Sequence, residues 1–176
     1  MDTIKPSMLA EQGKKEYEQG NYLAAADRFA QSAQAYALMK DELNAAEMKN
    51  NQSVALLQAG KAKEALQATE GTEEIFQEAN DIKRQGIAVS NRAAALEGMK
   101  KWKEALAEYD RAASLFEQIG EGDMHSIVRK AAANLNLKRG RIVDSQMDVY
   151  DSLRLVEKPT LTQRFMKFLI RIGLVK

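Results

Sequence analysis

The stretch NRAAALEGMKKWKEALAEYDRAASLF, residues 91–116, contains the pattern that decides the fold of this chain. It places small residues at Ala105 and Ala112 and a large apolar residue at Phe116, within two runs of good helix formers. The stretch EQGKKEYEQGNYLAAADRFAQSAQAY, residues 11–36, has small and large residues in the same order. We therefore predict two helices joined by a short turn in each stretch.

These positions recur every 40 residues through most of the chain. The position between the two helices is occupied by Gly20, Gly60, Lys100 and Gly140. Two positions hold small residues: the first is Ala25, Ala65, Ala105 and Ser145, and the second is Ser32, Thr72, Ala112 and Ser152. The large position is occupied by Tyr36, Phe76, Phe116 and Val156. A unit of this size cannot bury its apolar face alone, so it stacks on its neighbours. The spacing predicts an all-α solenoid in which Ala105 is buried at a tight helix crossing.

The two prolines of the chain, Pro6 and Pro159, bracket the repeated region and leave its helices uninterrupted. No segment shows the alternating β-branched pattern of a strand. We predict nine helices, at about 6–19, 22–39, 42–59, 62–79, 82–99, 102–119, 124–139, 142–157 and 160–175. Asp41 and Asp81 suit helix N-caps, and Thr160 with Gln163 fits a capping box.

Each unit resembles a tetratricopeptide repeat (TPR) of the long-repeat type, as in kinesin light chain, because 40 residues separate the units instead of about 34. The residues that carry the resemblance are Gly13, Ser53, Ala93 and Ala133 in the first helices, and Tyr22, Trp102, Phe29 and Tyr109 with the small positions in the second helices. The resemblance implies a right-handed superhelical solenoid of four helix pairs. The units are about 6–40, 41–80, 81–120 and 121–158, within a domain at 1–159 that is followed by a C-terminal helix at 160–176.

The second unit departs most from this pattern. Gly71 lies in the middle of a predicted helix, where it costs about 1 kcal/mol relative to alanine. Thr69 stands where an aromatic residue is usual, and Glu73 replaces a small residue. We expect a kink at Gly71, and we interpret Glu73 and Glu74 as part of a solvated helix face.

Composition narrows the range of functions. The net charge is +1, so nothing in the overall charge favours nucleic-acid binding, and the chain has no cysteine for disulfides or thiolate metal sites. Its first residues lack the apolar region of a secretory signal, and no apolar run is long enough to span a bilayer. We expect a cytoplasmic protein that carries no cofactor.

Evidence for catalysis is weak. His125, the only histidine, follows the turn at 120–123 and is expected to be an inert surface residue. Glu121 and Asp123 lie close in sequence, but acids in a turn usually cap a helix and seldom bind a metal. We therefore predict that the chain is not an enzyme, with no catalytic residue and no metal ligand.

Polar residues on the first helix of each unit are the better candidates for a functional site. The resemblance implies that these helices line a concave groove, and the groove candidates are Lys14, Asn50, Asn51, Gln58, Ser90, Asn91, Glu97, Lys130, Asn134 and Lys138. Asn51 and Asn91 occupy the same repeat position, and long-repeat relatives use asparagines there to hold an extended peptide backbone. A side-chain amide both donates and accepts, which suits a peptide unit. The alternative is that these asparagines are solvated or bind the adjacent helix.

The C-terminal segment TLTQRFMKFLIRIGLVK, residues 160–176, has a broad apolar arc and a narrow basic stripe. The apolar stripe contains Leu161, Phe165, Phe168, Leu169 and Ile172, and the basic stripe contains Arg164, Lys167 and Arg171. Three roles are open: a cap on the fourth unit, an anchor on an anionic membrane surface, or a helix that docks into a partner or another copy.

Together these features predict a non-enzymatic adaptor, scaffold or assembly factor that binds a peptide or protein segment in a concave groove. One alternative is a peripheral membrane adaptor tethered by residues 160–176. Another is a self-associating module that forms homo-oligomers through the same segment.

Overall fold

The structure is a computed structural model that describes residues 5–156 and 159–164. The helices are α1 (Pro6–Glu18), α2 (Tyr22–Leu38), α3 (Glu42–Gln58), α4 (Ala62–Ala68), α5 (Thr72–Glu78), α6 (Ile82–Gly98), α7 (Trp102–Gln118), α8 (Gly122–Lys138) and α9 (Ile142–Arg154). Residues 161–164 form a further helical turn, and no strand occurs in the two described ranges. The predicted all-α fold is confirmed.

The helix boundaries follow the prediction closely, with three differences, one of which is that α9 ends at Arg154 rather than at residue 157. Residues 62–79 form two helices, α4 and α5, and α8 begins at Gly122 rather than at residue 124. The predicted helix at 160–175 lies outside the described residues beyond Arg164. Most consecutive helices pack against one another along the chain, and α6 also packs against α3 and α4.

The turns have the local chemistry that the sequence predicted. Asp41 and Asp81 accept hydrogen bonds from the backbone N–H groups of residues 44 and 84, at 3.2 and 2.9 Å. Thr160 and Gln163 form the predicted capping box, in which each backbone N–H donates to the side chain of the other residue. These bonds satisfy N–H groups that a helix start leaves without partners.

The core is built from small residues beside large ones. Ala105 is fully buried as predicted, and so are its counterparts Ala25 and Ala65. Small residues at these positions let neighbouring helices approach closely. A Cβ built on Gly86 of α6 would lie 2.8 Å from the Phe116 ring of α7, so the two helices meet at a position where only glycine fits without movement.

Gly71 divides the predicted helix at 62–79, and the expected kink is a complete break. Its φ of 76° is left-handed, a conformation that glycine adopts without the steric cost that other residues incur. The side chains on either side, Thr69 and Thr72, are buried and donate hydrogen bonds to nearby carbonyls. The backbone at residues 62–79 therefore departs from the predicted single helix, while the small residue Ala65 stays in the core.

Candidate functional site

The polar groove candidates all lie on α1, α3, α6 and α8, the first helices of the predicted pairs. Asn51 and Asn91 are partly exposed, on α3 and α6, and these two helices pack directly against each other. Their side chains are therefore partly accessible on adjacent helices, 40 residues apart in sequence.

Two of the candidates lie together in one cavity. Lys14 of α1 and Asn51 of α3 line a cavity of about 210 Å³, together with Tyr17, Glu18, Phe29 and Val54. The amine of Lys14 is 2.7 Å from Glu11 Oε1, and this hydrogen bond raises the pKa of Lys14. The cavity has polar groups, an ammonium, a carboxylate and an amide, beside aromatic and aliphatic side chains. Such a site can hold a peptide side chain while the amide bonds to its backbone.

Glu97 and Lys138 also come together, but they bind each other. Lys138 Nζ on α8 lies 2.9 Å from Glu97 Oε1 on α6, and the Tyr109 hydroxyl donates to the other Glu97 oxygen at 3.0 Å. Burial, reinforced by the Glu97 charge, raises the pKa of Tyr109, so its hydroxyl remains a donor at neutral pH. These contacts link three helices, and a ligand would compete with them for Glu97.

The remaining candidates are more scattered. Asn50 is only 4% exposed, and its side-chain oxygen is buried without a hydrogen-bond partner among the described residues. Ser90 donates to the carbonyl of Ile87 within its own helix. Exposed side chains at the surfaces of α3 and α8 complete the set: Gln58, Lys130 and Asn134.

A buried charge network connects α5, α6 and α7, and the sequence did not reveal it. Glu73 is only 7% exposed and accepts from Arg92 at 2.8 Å and from Arg111. Both arginines also donate to Glu108, at 2.8 Å each, so the four residues form a closed ring of alternating charge. The interpretation of Glu73 as a solvated residue is wrong; only Glu74 is exposed. The signal was available, since an acid at an otherwise small core position requires a buried partner.

His125 is fully buried, so its expected surface position is also wrong. Its Nε2 lies 3.5 Å from Asp151 Oδ2 on α9, and neither ring nitrogen has a hydrogen-bond partner in the described part of the chain. Arg129 lies in the same cluster, with Nε 2.6 Å from the same Asp151 oxygen. Burial lowers the pKa of His125, and the Arg129 charge acts in the same direction against the attraction of Asp151. The neutral imidazole is therefore a structural group between α8 and α9.

His125 predicts a specific dependence of stability on pH. Because its pKa is lower in the folded chain than in the unfolded one, the unfolded state binds the proton more readily. We expect the free energy of unfolding to be retained above about pH 6.5 and to fall on acidification, by at most about 1.4 kcal/mol per pH unit for one group. Urea unfolding of the wild type and His125→Gln from pH 7.5 to 5 measures this slope. An equal slope in both proteins would contradict the assignment.

The described residues hold no cluster of three or more acidic, histidine or cysteine side chains suited to a metal ion. Within the same ranges, no helix is both long and apolar enough to cross a membrane. Comparison with known proteins gives no family: no protein-family model matches the chain, and no curated protein matches it. The local geometry is therefore the basis for any functional assignment.

Proposed function

We propose that this chain is a non-enzymatic protein-interaction module, an adaptor or scaffold, that binds an extended peptide segment along α1, α3 and α6. The proposal includes the superhelical arrangement of a long-repeat TPR protein, in which the first helices of successive units line one concave groove. The observation that carries it is the pair Asn51 and Asn91, partly exposed at equivalent positions of two helices in direct contact.

The chemistry of this surface suits a peptide backbone. Neither side-chain amide appears among the side-chain hydrogen bonds within the described residues, so both are available to a ligand. The cavity beside Asn51 adds an apolar floor at Phe29 and a cation at Lys14. A peptide that bonds to the asparagines therefore has an adjacent place for one side chain.

Changing both asparagines to alanine is expected to leave the fold intact and to weaken peptide binding. Each lost neutral hydrogen bond is worth about 0.5–1.5 kcal/mol, so Asn51→Ala/Asn91→Ala should raise Kd about 5- to 150-fold. The ligand comes from selection of a random peptide library on the full-length chain. Fluorescence anisotropy of a selected peptide then compares the variant with the wild type.

The matched control is Gln34→Ala/Gln67→Ala, which removes two exposed amides from α2 and α4 and should leave Kd unchanged. Circular dichroism checks that both double variants retain the wild-type helix content. The groove assignment is rejected if the two double variants bind the selected peptides equally well.

A second candidate function is attachment to an anionic membrane surface through residues 160–176. The described start of this segment favours it, because Leu161 is 82% exposed and Arg164 is exposed one helical turn later. A helix with apolar and basic stripes binds in the plane of a bilayer surface and responds to anionic lipid.

Truncation after Lys158 tests this attachment. The full-length chain is expected to float with phosphatidylserine-containing liposomes, while the truncated chain stays in the soluble fraction, and added salt should weaken flotation. Sedimentation of the two proteins without lipid reports self-association through the same segment. If the two proteins behave identically in both assays and the shorter one unfolds more easily, the segment acts as a cap.

A further inference from the structure

A second groove lies between α7 and α9, over the C-terminal end of α8. Its volume is about 550 Å³. One wall is the face of α7 from Lys103 to Asp110, and the other is the first two turns of α9 with the residue before them. The seven helical steps from residue 103 to residue 110 span about 10 Å, which matches the length of about three extended residues.

The floor of this groove contains the side-chain amide of Asn136, in which the NH₂ group has a hydrogen-bond partner and the oxygen has none within the described ranges. Asn136 is 6% exposed, and its Nδ2 donates to Asp148 Oδ2 at 2.8 Å. That bond determines the orientation of the amide, because a carboxylate can only accept. The Oδ1 atom of Asn136 is buried and has no hydrogen-bond partner in the described ranges. The residue that forms the floor of the groove therefore carries an acceptor without a partner.

A charged donor lies beside this acceptor. The Nη1 atom of Arg139 is also buried without a hydrogen-bond partner among the residues described. Arg139 directly follows the last residue of α8, three positions after Asn136, so the two side chains lie on the same side of the helix end, and both line the groove. Buried polar atoms are normally hydrogen-bonded. A ligand that satisfies both must present an acceptor to Arg139 and a donor to Asn136.

The charges around the groove favour an anionic group. Its three carboxylates are already engaged: Asp110 with Arg129 at 2.5 Å, Asp144 with Arg141, and Asp148 with the Asn136 amide. Lys103 and Arg139, in contrast, have no ion pair in the part of the chain that the structure describes. The charges that remain without a close opposite partner are therefore positive.

We propose that this groove binds a short acidic peptide segment, with an aspartate or glutamate carboxylate on Arg139 and a backbone N–H on Asn136 Oδ1. Leu106 and Met147 line the groove and can contact the aliphatic part of the acidic side chain. Sulfate fits less well, because this anion has only acceptors to place against the Asn136 oxygen, and inorganic phosphate has no aliphatic part to contact Leu106 and Met147. A peptide supplies both the acceptor and the donor.

This site is separate from the one in the proposed function. Its walls are α7 and α9, whereas Asn51 and Asn91 lie on α3 and α6. The second site would let the chain hold two segments at once, and its test is independent of the first.

Nuclear magnetic resonance of the full-length, isotope-labelled protein tests the proposal through the Asn136 side-chain amide and the Arg139 Nε–H. Titration with acetyl-Gly-Glu-Gly-amide is expected to shift both signals, and added salt should weaken binding. The matched peptide acetyl-Gly-Gln-Gly-amide should bind at least about tenfold more weakly, because it loses the charge-assisted hydrogen bond. Arg139→Gln should lower the affinity for the glutamate peptide to that of the glutamine peptide.

The control variant is Lys63→Gln, an exposed cation on α4 that should leave both affinities unchanged. The proposal is overturned if neither side-chain signal moves up to the solubility limit of the glutamate peptide, or if the wild type binds both peptides equally. It is also overturned if inorganic phosphate produces the same shifts at the same affinity, since the groove would then be a general anion site. Because the two peptides are compared on the wild-type protein, this part of the test does not depend on the folding of any variant.

Discussion

Replacing Phe116 with alanine is expected to lower the free energy of unfolding by about 3–5 kcal/mol, the largest effect predicted for this chain. Phe116 is fully buried and packs in the cluster that contains Val89, Ala105 and Leu135. Its removal takes apolar surface out of the core and leaves a cavity between α6 and α7 that close-packed neighbours fill only in part. Urea unfolding followed by circular dichroism measures the change.

A substitution at Gly86 tests the contact between Gly86 and the Phe116 ring directly. A Cβ on Gly86 would lie 2.8 and 2.9 Å from two Phe116 ring carbons, so Gly86→Ala should cost about 1–2 kcal/mol in the wild type despite the better helix propensity of alanine. In the Phe116→Ala background the obstruction is gone. The same change should then stabilise the chain by about 0.5–1 kcal/mol.

The sign reversal is the decisive result. A double-mutant cycle over Gly86 and Phe116 should yield a coupling energy of about 2 kcal/mol, which two non-contacting sites do not show. If Gly86→Ala has the same effect in both backgrounds, the close approach of α6 to α7 at this point is wrong.

Breaking the charge network at Arg92 is the second large effect. Arg92→Met removes a partner from the buried Glu73 carboxylate and from Glu108, and it should lower the free energy of unfolding by about 2–3 kcal/mol. We expect a smaller loss of unfolding free energy than for a fully buried ion pair, because Arg92 is about one-quarter exposed and Arg111 still binds Glu73. Chemical denaturation at constant pH and ionic strength measures the loss.

A compensating change distinguishes an electrostatic origin from simple loss of packing. In Glu73→Met/Arg92→Met no buried carboxylate is left short of a partner, and Glu108 keeps Arg111. The double variant should therefore lie within about 1 kcal/mol of the wild type. Arg111→Met, at a half-exposed position, should cost less than about 1 kcal/mol. Additive losses from the two single changes at 73 and 92 would count against the network.

Most of the secondary structure was predictable because it depends on local chemistry. Helix formers, turn residues and N-caps act within a few residues, so the boundaries of α2, α3, α6 and α7 follow from the sequence. The burial of Ala25, Ala65 and Ala105 was predictable as well, because a small residue at a fixed interval indicates repeated close packing. The position of Gly71 also indicated a disturbance, although not that the helix would end there.

The candidate surface was predictable only in part. The repeat register placed Asn51 and Asn91 on neighbouring helices, since that follows from the 40-residue spacing. It did not show that Glu97 would bind Lys138, because that contact joins residues 41 positions apart on α6 and α8. The groove over Asn136 was missed for the same reason, as α7, α8 and α9 each supply part of it.

The sequence by itself therefore determined that this chain is helical, where its turns lie and which small residues are buried. Only the tertiary structure decided the protonation and partners of the buried polar groups. Glu73 reaches Arg92 and Arg111, 19 and 38 residues away, and His125 meets Asp151 of another helix. Helix formation depends on neighbours within about one turn, whereas the cost of burying a charge depends on every group that folding brings beside it.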